Sequence, residues 1–245
     1  MKIKDFEIGA DRTFVIAEIG NNHNGSFDRA MEMIDLAAAM KADCVKFQMR
    51  HLDQVYRKRS ISKSGEDLGT EYVLDLLRRF ELSVDEQKQL ADYCKKRGIL
   101  YLCTPWDEES VRILEEFNVP AYKVASADLT NIPLLDILVR TNKPLILSTG
   151  MNTEKEVMYT VKFLKDRGAR FVLLHCNSTY PAPLHDINLK WIKQLLLMSK
   201  LNYLALLLQK YHLQNNYYHQ SVIYKFLEVN LFYPLMIMKY PTKYM

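Results

Sequence analysis

The chain has four cysteines, Cys44, Cys94, Cys103 and Cys176, and no Cys-x-x-Cys pair. Their wide spacing argues against a disulfide framework or a cysteine zinc site and suits a reducing cytoplasm, the expected location. No apolar run is long enough to span a bilayer, so no membrane association is expected. Met1 to Asp11 alternates charged and apolar residues and lacks a signal-peptide pattern. Glycine is sparse: there are eight, all at or before Gly168. No arginine follows Arg170, and residues 191–245 hold one acidic residue, Glu228, against six lysines. The formal charge of +4 therefore belongs to this tail, because residues 1–190 carry 27 basic and 28 acidic residues. No basic patch sits on a recognisable nucleic-acid motif, and no nucleic-acid partner is expected.

What is present is a regular alternation. Phe14 to Gly25 opens as an apolar, β-branched run and ends in Gly-Asn-Asn-His-Asn-Gly, a buried strand followed by a tight loop. Helical spacing follows over Ser26 to Met40. Cys44 to Met49 reads as a second strand, and Arg50 to Thr70 as a long polar surface loop. A short helix is expected over Glu71 to Arg79. Ser83-x-x-Glu86 is a capping box, so a helix fills Val84 to Arg97 and stops at Gly98. Strands at Ile99 to Cys103, Ala121 to Ala125, Leu145 to Ser148 and Phe171 to His175 alternate with helices at Asp107 to Phe117, from Pro133 to Arg140, and after Thr153-x-x-Glu156. A last helix is expected over Asn188 to Met198.

Short apolar strands joined by helices imply an α/β fold with a parallel sheet. A (βα)8 TIM-type barrel and a doubly wound sheet both fit. The loop Gly20 to Gly25 is not a Gly-x-Gly-x-x-Gly fingerprint, which favours the barrel. Six βα units are legible, so the barrel is expected to be incomplete. Residues 1–200 form this part. Residues 201–245 are anomalous: rich in tyrosine, poor in alanine, and without clear periodicity, as a shifted reading frame would produce.

In parallel α/β folds, ligands sit beyond the carboxyl ends of the strands. Each of the six strands ends in polar residues: Glu18, Asn21, Asn22 and His23; Lys46 and Gln48; Thr104; Lys123, Ser126 and Asp128; Ser148 and Thr149; His175, Asn177, Ser178 and Tyr180. Lys46 and Lys123 interrupt otherwise apolar strands. A lysine facing a barrel interior must meet an anion or lose its proton. Two of them beside the hydroxyls of Thr104, Ser126 and Ser148 suit a small multiply charged anion such as phosphate. Pairing of a lysine with Glu18, or a Schiff base to a carbonyl substrate, are the competing readings. His23, flanked by asparagines, reads first as a loop hydrogen-bonder and second as a substrate contact. His175 and Cys176 face opposite sides of an extended chain and do not make a nucleophile pair. Cys44 and Cys103 read as core residues.

Six ordered stretches carry a resemblance: Val15-Ile-Ala-Glu-Ile-Gly-Asn-Asn-His-Asn-Gly, Val45-Lys-Phe-Gln, Cys103-Thr-Pro-Trp, Tyr122-Lys-Val-Ala-Ser-Ala-Asp, Leu147-Ser-Thr-Gly-Met and Leu174-His-Cys-Asn-Ser-Thr-Tyr-Pro. From about Lys4 to Leu195 the chain resembles the sialic acid synthase family, which includes N-acetylneuraminate, legionaminate, pseudaminate and spore-coat polysaccharide synthases. The resemblance implies condensation of phosphoenolpyruvate with an N-acylated amino sugar to give a nonulosonic acid and phosphate. It assigns Lys46, Thr104, Lys123, Ser126, Ser148 and Ser178 to phosphoenolpyruvate. It places Glu18, Gln48 and Tyr180 near the sugar and the forming bond; Asn22, His23 and Asp128, the last standing where the family often has a glutamate, are further candidate sugar contacts. It implies a divalent metal, Mn2+ or Mg2+, that polarises the sugar aldehyde, and a homodimer. The family's metal-binding histidines, in Gly-Tyr-Ser-x-His and Glu-x-His motifs, have no match after Leu201, so no metal ligand is assigned. Its carboxy-terminal antifreeze-like domain has no counterpart either. An inactive barrel fragment is the alternative expectation.

Overall fold

The computed structural model describes residues 1–8, 13–55, 68–179, 182–199, 204–206 and 235–238. Strands β3 (Phe14–Glu18), β4 (Cys44–Met49), β5 (Leu100–Pro105), β6 (Tyr122–Val124), β7 (Leu145–Ser148) and β8 (Phe171–His175) pair in sequence order, each parallel to the next. Helices α1 (Phe27–Ala39), α4 (Val84–Arg97), α5 (Glu108–Glu116), α6 (Ile132–Arg140) and α7 (Glu154–Asp166) form the crossovers. The expected α/β architecture is therefore present: six parallel strands curl into part of a barrel, with helices outside.

Local chemistry explains the helix ends. Ser83 and Thr153 close reciprocal capping boxes with Glu86 and Glu156. Asp107 caps α5 through the Ser110 amide, and Asn131 caps α6 ahead of Pro133. Gly98 ends α4 in the left-handed region at φ 70°, where a side chain would be strained.

Alternation along the strands sorts the side chains into two layers. One set packs under the helices: Ala17, Val45, Phe47, Cys103, Tyr122, Leu147 and Leu173 meet Met33, Leu90, Leu114, Leu135 and Leu164. The other set fills the barrel: Ile16, Cys44, Leu102, Ala121, Ile146, Val172 and Leu174 form an apolar floor. Below that floor, Lys2–Ile3 (β1) and Phe6–Glu7 (β2) pair as a small antiparallel hairpin. Ile3 and Ile8 pack into the same cluster, and the Phe6 ring lies 4.7 Å from Phe14. The alternating opening of the chain is thus a plug for the barrel's amino-terminal end.

Three expectations change. Within the loop expected over Arg50 to Thr70, a helical turn occupies α2 (Leu52–Val55), and α3 runs Leu68–Phe80, starting before the expected helix; residues 56–67 lie outside the described set. The last helix, α8, spans Trp191–Ser199. The anomalous tail adds two strands to the sheet. Leu204–Leu206 (β9) continues it parallel to β8, and Leu235–Met238 (β10) lies antiparallel to β3 on the opposite edge. A three-residue and a four-residue strand are too short for periodicity to announce them.

Candidate functional site

The polar strand ends lie one layer above the apolar floor, on the same alternation. Glu18 follows Ile16, Lys46 follows Cys44, Thr104 follows Leu102, Lys123 follows Ala121, Ser148 follows Ile146 and Cys176 follows Leu174. Curvature of the sheet turns this layer inward. Neighbouring strands hold Glu18 beside Lys46 and Gln48 beside Thr104 in register.

Lys46 is only 4% exposed. Its Nζ lies 2.8 Å from Glu18 Oε2 and donates to Thr104 Oγ1 at 3.1 Å. Lys46 thus has a carboxylate, Glu18, and a hydroxyl, Thr104, as partners. Glu18 Oε1, by contrast, is buried without a hydrogen-bond partner. Lys123 is equally buried, and its Nζ donates to Ser148 Oγ at 2.6 Å and to the Val124 carbonyl at 2.7 Å. These partners are a hydroxyl and a carbonyl, not a carboxylate. Burial first, and then the charge of Lys46, push the Lys123 ammonium down to about 7. The layer above the floor thus carries two lysines and one carboxylate.

A second cluster surrounds Gly150. A Cβ there would stand 2.6 Å from Ser178 Oγ and 3.1 Å from Ser126 Oγ, so the backbone approach depends on glycine. The Gly150 amide donates to Cys176 Sγ at 3.2 Å, and Cys176 Sγ lies 3.6 Å from Ser126 Oγ. Asn152 Nδ2 holds the loop by donating to the Ser126 and Gly150 carbonyls at 2.8 and 2.6 Å. Ser126, Ser178 and Cys176 are thereby brought together. Cys176 was not among the site residues read from the sequence, although Val172, Leu174 and Cys176 share one parity and point to it.

Gly20 opens the rim on the opposite side. Its φ is +51°, and a Cβ would lie 2.9 Å from Glu18 Oε1 and 3.5 Å from Gln48 Nε2. Gln48 Oε1 accepts from Arg50, whose guanidinium lies 4.7 Å from the Trp106 ring centroid. Gln48 is braced from outside the barrel. Gln87 Nε2 of α4 donates to the Gln48 carbonyl at 3.1 Å, and Tyr101 Oη donates to Gln87 Oε1 at 2.7 Å.

The remaining described candidates make contacts of their own. Asn22 Nδ2 donates to the Ile19 carbonyl at 2.8 Å, within its own turn. His23 is buried, and its Nδ1 accepts from the Gly25 amide at 3.1 Å; burial lowers its pKa. The ring thus ties the loop together. Asp128 accepts from Asn131 Nδ2 at 3.0 Å, while its Oδ2 is buried without a partner and burial raises its pKa. His175 faces away from Cys176, as the alternation requires, and its Nε2 donates to the Ile187 carbonyl at 2.7 Å. Tyr180 lies outside the described residues.

A divalent metal fits poorly with what is present. Among the described residues no three His, Cys, Asp or Glu side chains converge as a metal site. Glu18, the carboxylate of the layer, has one oxygen committed to Lys46. The described residues do not by themselves provide a site for that ion. Also among the described residues, no helix is long and apolar enough to cross a membrane.

A family model described as the NeuB family matches residues 33–202. Among curated proteins, an uncharacterized protein of Methanocaldococcus jannaschii is 43% identical over 197 residues, covering 80% of this chain and 55% of that protein. The N,N'-diacetyllegionaminic acid synthase of Campylobacter jejuni is 36% identical over 190 residues, covering 75% of this chain and 57% of that enzyme. Among solved structures, the N-acetylneuraminic acid synthetase of Leptospira borgpetersenii, in complex with citrate, superposes with a TM-score of 0.74 at 31% identity. That superposition covers 84% of this chain and 68% of that one. The chain spans about half the length of the curated relatives it matches.

Proposed function

The chain belongs to the NeuB family, and from that membership and the chemistry of the strand ends we propose that it contributes the phosphoenolpyruvate-binding part of a nonulosonic acid synthase. The observation that carries this reading is Lys123. A lysine so buried, bonded to a hydroxyl and a carbonyl and standing beside a second lysine, is held at a cost that a bound anion offsets. Lys123 with Ser148, and Lys46 with Thr104, would grip the phosphate and carboxylate of phosphoenolpyruvate as point charges with directed hydroxyls. Ser126 and Ser178, converging at Gly150, would add donors to the same oxygens. Glu18, level with Lys46, and Gln48, two residues further along β4, would meet an N-acylated amino sugar. With both held, the enol carbon of phosphoenolpyruvate attacks the sugar's aldehyde carbon. Water adds at the resulting cationic carbon, and phosphate leaves by C–O cleavage. The chain's own residues serve this by holding the two carbons in contact and neutralising the anion.

A second reading is that this chain binds the anion without turnover. It is favoured by β10, which lies antiparallel to β3 where a (βα)8 barrel would close with a parallel strand. One experiment addresses both. Phosphoenolpyruvate is titrated against the chain, and phosphate release is then followed with N-acetylmannosamine and manganese. Saturable binding with sugar-dependent release is expected for the synthase. Binding without release supports the second reading, and absence of binding removes both.

A further inference from the structure

Resting on the reading above that the rim receives an amino sugar, we propose that Arg50 is a positioning residue: it fixes the amide of Gln48 and so sets the donor and acceptor pattern shown to that sugar. Lys46, Gln48 and Arg50 share one parity, so Arg50 stands one step above Gln48 at the rim. Trp106 follows Thr104 by the same count, and its ring carries the Arg50 guanidinium at 4.7 Å. An amide side chain has two orientations that differ only in which end presents oxygen. A guanidinium resolves that choice, because it has donors and no acceptor. Arg50 donates to Gln48 Oε1. The Nε2 end is left on the side of Gly20, 3.5 Å from where a Cβ would stand.

Glu18 Oε1 lies on the same side of Gly20, 2.9 Å from where that Cβ would stand. This oxygen is buried and unpartnered, while Oε2 is held by Lys46. Gly20, which carries no side chain, is therefore flanked by one N–H donor, Gln48 Nε2, and one carboxylate acceptor, Glu18 Oε1. A secondary amide, which offers a carbonyl and an N–H, matches both. A hydroxyl, which accepts and donates, also matches. A carboxylate would meet Glu18 as a like charge. The subsite thus selects a neutral amide or hydroxyl group, in contrast to the two lysines beside it. Were the amide reversed, two acceptors would face the ligand and the match would be lost.

The test uses the full chain with Arg50→Met, Arg50→Lys and Arg50→Glu. N-acetylmannosamine and phosphoenolpyruvate are titrated separately by calorimetry. Arg50→Met is expected to weaken N-acetylmannosamine about tenfold, the scale of one misdirected hydrogen bond, with phosphoenolpyruvate within about twofold of wild type. Arg50→Lys should recover most of the sugar affinity, since lysine is also donor-only. Arg50→Glu, which accepts, should be worse than Arg50→Met. In a Gln48→Ala background, Arg50→Met should have no further effect. Equal losses for both ligands, or unchanged sugar affinity in all three variants, would overturn the assignment. A wild-type chain that binds phosphoenolpyruvate but no sugar would overturn it while leaving the anion site standing. A chain that binds neither would remove the proposed function itself and this inference with it.

Discussion

Lys123 sits on an apolar floor of Ala121, Ile146 and Val172, and its charge is met by one hydroxyl and one carbonyl. Its pKa is about 7 in the folded chain against an ordinary 10.5. Between those values the unfolded chain holds a proton that the folded chain has lost. The stability contributed by this residue therefore rises as pH climbs from about 7 to about 10.5 and is level outside that window. Anion binding needs the charged form, so phosphoenolpyruvate affinity should fall up to about tenfold per pH unit above about 7. Lys123→Met should remove that pH dependence together with most of the affinity, without a matching loss of fold. Affinities that agree at about pH 6.5 and about pH 9 would show that Lys123 does not titrate in the site.

At the scale of elements, the site depends on how β4 is held. Gln87 on α4 is buried and spans two groups, the Gln48 carbonyl at the strand end and the Tyr101 hydroxyl on β5. Phe47 and Tyr101 stack beside them at 5.4 Å. Gln87→Leu keeps the volume but strands both groups, at about 1–3 kcal/mol each. Urea unfolding should register that loss, and the Gln48 end of β4 should loosen with it. A variant as stable as wild type would mean that water replaces the amide. The capping boxes of α4 and α7 were legible from Ser83, Glu86, Thr153 and Glu156 alone, because a cap involves residues three apart. The Gln87 brace was not legible, because it links residues 39 and 14 positions apart through packing.

At the scale of the molecule, β9 and β10 end the strand order of the sheet and come close to each other, with no ladder between them among the described residues. Unpaired strand edges recruit other chains. The protein by itself is expected to self-associate on size-exclusion chromatography. A soluble monomer with one sharp unfolding transition would contradict this. The antiparallel direction of β10 is a property of the assembled sheet: a tail without clear periodicity specifies neither partner nor direction.

Local patterns in the sequence account for the order of β3 to β8, the capped starts of α4 and α7, and the side of each strand on which Glu18, Lys46, Lys123 and Ser148 fall. These follow from periods of 2 and 3.6 residues and from caps, which are local. It takes the assembled barrel to give Lys46 Glu18 as its partner and Lys123 a hydroxyl and a carbonyl. The same assembly decides that Cys176 joins Ser126 at Gly150, and that the first eight residues plug the barrel. Those outcomes depend on the curvature that brings distant strand ends to one place. The choice of partner there follows distance and burial, which no local pattern encodes.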